Sequence, residues 1–569
     1  DLTASTRQLR PDLIRTNLEA RSVSVGPEQL LVANMDLFID TDGDGAVNAQ
    51  DEDDDNDGML DAEDASPYVY SEAPVLVPNA ATGGAASNTP LTLEWTTSEY
   101  AKQIEVQLAK DDAFTDIVLT DLAPTKQYTF TLDAGVYYVR ARAQNELGGW
   151  GTWSSETEIS VDVFAIRYEI QGKDQTSEWH YFFATTTDGG FLITGTEPAP
   201  SDQPMLSHRS GLVVKVDTLG AVQWRKSIPG NSDIWLKDPA QTADGGYLIA
   251  FMEMDATGQT GAARALKLSP LGDEEWRSAV LSTKAVTPFD SRPIQFLQDR
   301  GRVLVGISEV LAEAGPGRTP PDRAPLVIAL DANNGVTEWS HSLADAGNTY
   351  DALTGLWLTA EGSYAIAGTR DPATASGRQP FVETLSATGQ PLAATSTPES
   401  FNVEGYLAKP GADGSYFLST AQPPWDNGTA WQAWLYKISS NGEILFGGKL
   451  DTDCGCGIYE DAKLFVTPER ILAGGAAVWE PGAGRPAPTS ESVNGVAIIE
   501  LHPTSGAVLA RRLYAPFSPA QSLHSFAPMP GGATAVFGGA WDQSDFTIIK
   551  TDANGIAPKS LTRTVTIAP

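Results

Sequence analysis

Thr187-Asp-Gly-Gly-Phe-Leu-Ile-Thr-Gly195, followed by Val213-Val-Lys-Val-Asp-Thr-Leu-Gly-Ala-Val-Gln-Trp224, is the stretch that decides the fold of most of this chain. It predicts a strand, a tight Asp-Gly turn, a second strand, a long loop, a third strand, a glycine-containing turn and a fourth strand. The first turn recurs at a nearly constant interval, in segments that begin at residues 187, 243, 299, 360, 412, 468 and 530. Seven units of four strands each predict a seven-bladed β-propeller over residues 164–569.

A propeller ring must close, and a segment upstream of the first turn can close it. Phe164-Ala-Ile-Arg-Tyr-Glu-Ile170 has the pattern of a last strand, so we expect it to complete the blade that begins near Ser522. Closure of this kind removes two exposed sheet edges. The repeat of Asp-Gly-Gly with Lys-x-Asp-x-x-Gly-x-x-x-Trp resembles that of bacterial secreted propellers.

Residues 75–162 have a different strand pattern. Three runs alternate apolar residues at period two, namely 91–95, 104–108 and 136–143. Such runs at this spacing predict a β-sandwich. The run from Tyr137 to Gly148, with Trp95 upstream and Trp153 downstream, resembles a fibronectin type III domain. We expect Trp95 and Tyr138 to be core residues.

Charge and hydropathy exclude two classes of function. The formal net charge of the 569-residue chain is −35, which argues against nucleic-acid binding because phosphates would be repelled. No run of 18 apolar residues exists, so no transmembrane helix is predicted. The chain begins at Asp1 without an apolar signal core, and we expect that a signal peptide has been removed.

Residues 36–66 form an acidic segment, in which residues 36–64 hold 13 Asp or Glu and no Lys or Arg. One pattern occurs twice in succession, from Asp40 to Asp51 and from Asp53 to Asp64, with side-chain oxygens at positions 1, 3, 5, 9 and 12 and glycine at position 6. This is the pattern of a calcium loop, in which position 7 supplies a backbone carbonyl. The predicted Ca²⁺ ligands are Asp40, Asp42, Asp44, Ala46, Asn48 and Asp51 in the first loop and Asp53, Asp55, Asp57, Met59, Asp61 and Asp64 in the second. A plain solvated acidic linker is the alternative, but it would not repeat glycine and aspartate at the same offsets.

The two loops depart from an EF-hand, because position 12 is Asp rather than Glu and no long amphipathic helices flank them. The step from Asp40 to Asp53 and the Asp-only pattern resemble thrombospondin type 3 repeats, with the repeat of bacterial dockerins as a second candidate. The resemblance implies ions that stiffen a segment with little hydrophobic core. Extracellular modules bind calcium with a Kd of about 10⁻⁴–10⁻³ M, which cytosolic calcium would not fill, so we expect an extracellular protein.

The N-terminal residues 1–35 are too short to bury a core of their own. Their basic residues are Arg7, Arg10, Arg15 and Arg21. We expect an arm that becomes ordered only on docking, for example as a strand added to a neighbouring copy of the chain. Head-to-tail contacts that do not close would then build a filament. Residues 67–74 are predicted to be a linker.

Catalytic patterns are scarce. Residues 329–339 resemble the tryptophan-docking motif of pyrroloquinoline-quinone dehydrogenases, but later units carry Ala393, Phe446 and Ala510 at the Trp offset. We therefore expect Trp224, Trp276 and Trp339 to pack between blades. The histidines show no metal-ligand spacing; they are His180, His208, His341, His502 and His524.

The two cysteines of the chain are Cys454 and Cys456. A local loop disulfide is the first expectation, with metal binding or a link between chains as alternatives.

Together these patterns predict an all-β protein with a calcium-loop linker, a β-sandwich and a seven-bladed propeller. The predicted function is an extracellular, calcium-stabilised structural or adhesive protein that is not an enzyme, and that self-assembles through its N-terminal arm. Protein or glycan partners are expected at the long propeller loops, residues 196–210, 310–325, 421–431 and 478–494. The alternative function is a secreted propeller enzyme that is quinone-dependent or acts on polysaccharide.

Overall fold

The computed structural model divides the chain into two compact units, residues 1–163 and 164–569. It describes residues 40–569 apart from 43, 65–66, 68–69, 71–72, 78–84, 98–100, 124–125, 146–147, 171–180, 199–208, 231, 255–260, 283–294, 313–321, 344–347, 373–378, 398–403, 423–431, 451–456, 459–462, 480–492, 515–521, 541–542, 560–561 and 568–569. The predicted N-terminal arm and both cysteines lie outside these residues. No helix in the described part of the chain is long and apolar enough to span a membrane.

The first unit contains a sandwich of two antiparallel sheets, in the orders β1-β2-β5 and β4-β3-β6-β7. Its strands are β1 Val75–Leu76, β2 Pro90–Thr96, β3 Gln103–Ala109, β4 Ile117–Ala123, β5 Gln127–Thr131, β6 Gly135–Gln144 and β7 Thr157–Val161. Along β2 buried and exposed residues alternate strictly, because successive side chains of a strand point to opposite faces. Trp95 on β2 is almost fully buried between the sheets, as the sequence predicted.

The second unit consists of seven sheets built mainly from antiparallel strands that follow one another in chain order; the seventh also contains β8, residues 164–170, and a parallel pairing. Blades 1 to 3 contain β9 Phe182–Thr185, β10 Phe191–Pro198, β11 Arg209–Val216 and β12 Val222–Ile228; β13 Ile234–Gln241, β14 Tyr247–Met254, β15 Gly261–Leu268 and β16 Glu274–Arg277; and β17 Gln295–Asp299, β18 Arg302–Ala312, β19 Asp322–Asp331 and β20 Thr337–Ser342. Blades 4 and 5 contain β21 Asn348–Leu358, β22 Tyr364–Pro372, β23 Gln379–Leu385 and β24 Pro391–Ser396; and β25 Glu404–Pro410, β26 Tyr416–Gln422, β27 Gln432–Ile438 and β28 Ile444–Lys449. Blade 6 contains β29 Gly457–Ile458, β30 Lys463–Val466, β31 Ile471–Trp479, β32 Val493–Leu501 and β33 Val508–Tyr514. Blade 7 contains β34 Ser522–Pro528, β35 Thr534–Ala540 and β36 Gln543–Lys550, with a 3₁₀ turn at Pro530–Gly532, and is completed by β8 Phe164–Ile170 and β37 Arg563–Ile567.

The seven sheets close into a ring. A hydrophobic cluster lies at each junction between consecutive blades. The cluster that closes the ring joins Phe537 and Phe546 of blade 7 to Phe191 of blade 1. This arrangement is the predicted seven-bladed propeller, in which stacked blades bury one another's faces.

Strand β8 closes the seventh blade, as its sequence predicted. It pairs antiparallel with β36, from Phe164 opposite Lys550 to Tyr168 opposite Phe546. The expectation of four strands in every blade was wrong for two of them. Strand β37 adds parallel to β8, and β29 adds to β31 in blade 6.

Each junction also places a fourth-strand side chain over the turn glycine of the next blade. The nearest fourth-strand side chains are Trp224 at Gly272, Trp276 at Gly335, Trp339 at Gly389, Thr395 at Gly442, Phe446 at Gly506, Arg512 at Gly555 and Ile166 at Gly220. The indole nitrogens of two tryptophans also donate to carbonyls of the next blade, Trp224 to Pro270 (3.2 Å) and Trp276 to Ala332 (2.8 Å). The tryptophans of the repeat therefore pack between blades, as predicted.

The Asp-Gly turns are tied to the third strands by buried lysines. Lys215, Lys267 and Lys437 donate to Asp188, Asp244 and Asp413 of their own blades at 2.8, 3.0 and 2.7 Å. The three ammonium groups belong to almost fully buried side chains, so they require a charged partner. This pairing explains why the sequence repeat couples Asp-Gly to Lys-x-Asp.

Candidate metal centre

The acidic segment folds into two consecutive loops, and the second repeats the hydrogen bonds of the first. The Asp42 Oδ1 atom accepts from the Asp44 amide at 2.8 Å, and the Asp55 Oδ1 atom accepts from the Asp57 amide at 3.1 Å. In the same way the Ala46 amide donates to the Asp44 carboxylate at 2.7 Å, and the Met59 amide donates to the Asp57 carboxylate at 2.9 Å. The sequence repeat is therefore a repeat of local structure.

Position 9 of each loop also has an equivalent role. The Oδ1 atom of Asn48 accepts from the Thr41 amide at 3.0 Å, and the Oδ1 atom of Asp61 accepts from the Asp54 amide at 2.8 Å. These bonds join the two ends of each loop. A residue at this position of a calcium loop often reaches its ion through water, which agrees with an oxygen already engaged by an amide.

Glycine at position 6 is required by the backbone. Gly45 has a φ of 108° and Gly58 a φ of 94°, a region that favours residues without a Cβ atom. After each glycine the amide turns back towards the carboxylate at position 5. The chain therefore wraps around the side chains of positions 1, 3 and 5.

Wrapping brings three carboxylates together in each loop. One oxygen from each of Asp40, Asp42 and Asp44 lies within 4.8 Å of the other two, and the same is true of Asp53, Asp55 and Asp57. Asp42 and Asp55 are only 6% and 2% exposed, so both carboxylates lie largely out of water. Groups of convergent oxygens of this kind suit a hard divalent cation.

Burial and like charge penalise ionised carboxylates here. Burial raises the pKa of Asp55 to about 7, and the charges of Asp57 and Asp64 add to this effect. Burial raises the pKa of Asp42 to about 6, with additions from Asp44 and Asp51 among others. Burial likewise raises the pKa of Asp53. A bound cation would reverse the effect, because it favours the ionised form.

Of the predicted ligands, positions 1, 3 and 5 converge in both loops. Asp51 and Asp64, at position 12, are close enough for their charges to act on Asp42 and Asp55 respectively. The amides of Ala46 and Met59 donate to carboxylates of their own loops. Calcium binding by their carbonyls stays a prediction.

A buried oxygen without a protein partner indicates that the second loop fits a cation. The Oδ2 atom of Asp55 is buried and forms no hydrogen bond, whereas Oδ1 accepts from Asp57. An unpartnered buried carboxylate oxygen costs several kcal/mol unless something compensates it. A divalent ion among Asp53, Asp55 and Asp57 would supply that compensation.

One residue of this centre, Asn56, is not marked by the calcium-loop pattern. It is 5% exposed, and its Nδ2 atom donates to the Oδ2 atom of Asp42 in the other loop. The calcium-loop pattern leaves position 4 unspecified, so spacing alone does not single it out. In the structure its φ is 56°, a left-handed value that Asn tolerates better than most residues.

The other candidate residues do not form a second centre among the described side chains. His341 Nε2 lies 3.1 Å from Glu383, and His502 Nδ1 accepts from the Thr504 amide at 3.3 Å. His180, His208 and the side chain of His524 lie outside the described part, as do Cys454 and Cys456.

Comparisons with known proteins give a likeness of fold. No family model and no curated protein matches the chain. One similar solved structure is an α-L-arabinofuranosidase of Fusarium graminearum, with 10% identity, coverage of 60% of this chain and 98% of that chain, and a TM-score of 0.35. Another is a quinohemoprotein alcohol dehydrogenase of Comamonas testosteroni, with 12% identity, coverage of 70% of this chain and 77% of that chain, and a TM-score of 0.35. A third is an α-L-arabinanase of Penicillium chrysogenum, with 10% identity, coverage of 69% of this chain and 98% of that chain, and a TM-score of 0.36.

These comparisons correct one prediction. The sequence predicted that the chain is not an enzyme, and this is contradicted because the three similar structures are enzymes. At these identities the likeness concerns the fold and does not extend to a substrate.

Proposed function

We propose that residues 40–64 bind two Ca²⁺ ions and that the chain is a calcium-stabilised, multi-domain β protein of the cell exterior. The observation that carries this proposal is the buried, unpartnered Asp55 Oδ2 atom inside a loop whose hydrogen bonds are those of the first loop. The first ion would be held by the carboxylates at positions 1, 3, 5 and 12 of the first loop, and the second ion by their equivalents in the second loop. These carboxylates belong to Asp40, Asp42, Asp44 and Asp51, and to Asp53, Asp55, Asp57 and Asp64.

Calcium is the cation that this oxygen set favours. All the converging groups are carboxylates, which are hard ligands, and each loop offers more of them than Mg²⁺ usually takes from protein. Ligands supplied by loops also suit the larger and less strictly coordinated ion. Resemblance to extracellular repeats and the weak affinity expected of them support an extracellular location.

Calorimetric titration of the chelator-treated full chain tests the proposal. We expect uptake of two Ca²⁺ ions with a Kd of about 10⁻⁴–10⁻³ M, and loss of both in the double variant Asp42→Asn, Asp55→Asn. The matched control is Asp111→Asn, because the Asp111 carboxylate also accepts loop amides, from Thr115 and Asp116, but lies outside the two loops. Equal uptake by the double variant and the control would refute the proposal.

A second candidate function is a secreted propeller enzyme. The names of the three structures reported above agree with this alternative better than with a structural or adhesive role, and none of the three supports a filament joined through residues 1–35. The reaction would be polysaccharide hydrolysis or a quinone-dependent oxidation. Release of reducing sugar from arabinan and related polysaccharides, and dye reduction after addition of pyrroloquinoline quinone, distinguish the two versions. Inactivity in both assays, with calcium present, would exclude both versions.

The sandwich order of three plus four strands supports, within this proposal, the fibronectin type III resemblance of residues 75–162. Protein or glycan binding at the long propeller loops stays a prediction, because most of those loop residues lie outside the described part of the chain.

A further inference from the structure

We infer that the two loops bind Ca²⁺ cooperatively and that Asn56 couples them. The inference rests on the proposed calcium function. Asn56 belongs to the second loop, where it stands between Asp55 and Asp57. Its side chain, however, donates from Nδ2 to the Oδ2 atom of Asp42 in the first loop. One buried residue therefore contacts the ligand set of one site and is part of the backbone of the other.

The contact fixes a ligand of the first site. The Asp42 Oδ1 atom accepts from the Asp44 amide at 2.8 Å, and the Oδ2 atom accepts from Asn56. Hydrogen-bonding partners of a ligating carboxylate set its orientation, and their loss typically lowers metal affinity about 10–100-fold. Asn56 is thus a positioning residue for the first site, supplied by the second loop.

The position of Asn56 is in turn fixed by the second loop. Its amide donates to the Asp53 carbonyl at 3.1 Å, and its φ of 56° lies in the left-handed region. The next amide, of Asp57, donates to the carboxylates of Asp53 and Asp55. Ordering of Asp53, Asp55 and Asp57 around an ion therefore also orders Asn56.

Binding at either site then lowers the cost of binding at the other. An ion in the first loop immobilises Asp42 and, through it, Asn56, so the second loop loses less conformational freedom when its own ion binds. The effect is reciprocal, because the coupling free energy belongs to the pair of sites. Repulsion between the ions opposes it, but each ion is offset by the carboxylates of its own loop and screened by salt.

The variant Asn56→Gly isolates the coupling. Glycine adopts the left-handed backbone readily and removes the whole side chain, including the Nδ2 donor. The matched control is Asn88→Gly, because Asn88 also has a φ of 56° but lies outside residues 40–64, where its amide donates to the Leu132 carbonyl of the sandwich. Calorimetric titration with CaCl₂ should give two ions with a Hill coefficient above 1 for the wild type and for Asn88→Gly, and two ions with a coefficient of about 1 for Asn56→Gly.

A mutant cycle measures the same coupling without relying on the curve shape. We expect Asp42→Asn to lower the calcium affinity of the second loop at least about fivefold when Asn56 is present. In the Asn56→Gly background the same substitution should lower that affinity by a clearly smaller factor. Two independent ions in the wild type, or an unchanged factor in the Asn56→Gly background, would overturn the inference and leave the proposed function standing. Absence of calcium uptake by the wild type would refute the proposed function, and the inference with it.

Discussion

At the scale of single residues, the chemistry of the acidic segment is decided by Asp55. Its carboxylate is 2% exposed, one oxygen accepts from Asp57, and the other has no partner. Without a cation this group is destabilising in its ionised form, which is why burial raises its pKa to about 7. The loop is therefore arranged for a positive ligand rather than for water.

A pH dependence of the calcium-free protein follows from this carboxyl. The folded pKa of about 7 lies above the value of 3.8 for an unperturbed Asp, so the folded loop binds the proton more tightly than the unfolded loop. In chelator, the stability of residues 40–64 should fall as pH rises from about 4 to about 7. Amide exchange of this segment, corrected for the intrinsic rate, measures the change.

Asp55→Asn provides the control for that experiment. The neutral amide removes a buried negative charge, so the variant in chelator should exchange more slowly than the wild type at pH 7.5 and should show less of the pH dependence. In calcium the order should reverse, because the variant lacks a ligand. Faster exchange of the variant in both conditions would contradict this account.

The ligand positions could be predicted because calcium loops place oxygens at fixed offsets, and the offsets of Asp40 to Asp51 recur from Asp53 to Asp64. Asn56 could not, because its partner Asp42 belongs to the other loop and the pattern ignores its position. Local spacing reveals ligands, whereas contacts between loops require the fold.

At the scale of strands and blades, the turn glycines and the Asp-Lys pairs hold the repeat together. A fourth-strand side chain covers the turn glycine of the next blade, at every junction from Trp224 over Gly272 to Ile166 over Gly220. The sequence predicted this packing from the three tryptophans. It could not show that Thr395 and Arg512 cover the glycine at the junctions where Ala393 and Ala510 stand at the Trp offset, because the junction requires a covering side chain rather than a particular residue type.

Gly272→Ala should destabilise the propeller more than Gly414→Ala does. Both glycines have a φ near 80°, so both variants carry the same backbone strain. A Cβ atom at Gly272 would lie 2.9 Å from the Trp224 ring, whereas one at Gly414 would meet nothing within 4 Å. The clash should add about 1–3 kcal/mol to the loss of unfolding free energy. Equal urea midpoints of the two variants would show that the junction is loosely packed.

Asp413→Asn tests the buried lysine pairs. Lys437 holds the pKa of Asp413 well below its usual value, with help from Ser415. The pair therefore stabilises the fold above about pH 4, and this contribution is lost as pH falls towards the folded pKa. At pH 7 the variant should lose about 1–3 kcal/mol, because Lys437 stays almost fully buried without its charged partner, whereas exposure of the carboxylate limits the attraction that is lost.

The control for this variant is Asp273→Asn, whose partner Lys226 is itself exposed. It should change the urea midpoint very little at any pH. A loss for Asp413→Asn that stayed constant between pH 7 and pH 3 would contradict an electrostatic origin.

At the scale of the whole molecule, ring closure uses chain from both ends of the propeller unit. Strand β8 pairs with β36, and the C-terminal strand β37 covers the free edge of β8. Periodicity predicted the first pairing because Phe164–Ile170 has the pattern of a last strand. The parallel addition of β37 has no repeat to reveal it, so it was not predicted.

Ile567→Ala should lower the unfolding free energy of the propeller by about 2–4 kcal/mol, because Ile567 on β37 is 2% exposed and lies in the cluster that closes the ring. The matched control is Ile556→Ala, since Ile556 is 49% exposed and should lose less than about 0.5 kcal/mol. Urea denaturation of the full chain compares them. Equal midpoints would show that β37 is not part of the folded blade.

The direct measurement of the central claim is an experimental density map of the protein prepared in millimolar calcium. The account predicts two strong peaks, one surrounded by Asp40, Asp42 and Asp44 and the other by Asp53, Asp55 and Asp57, each with oxygens at about 2.3–2.6 Å. Carboxylates that keep the same positions around ordinary water molecules, in a map clear enough to tell water from calcium, would contradict it.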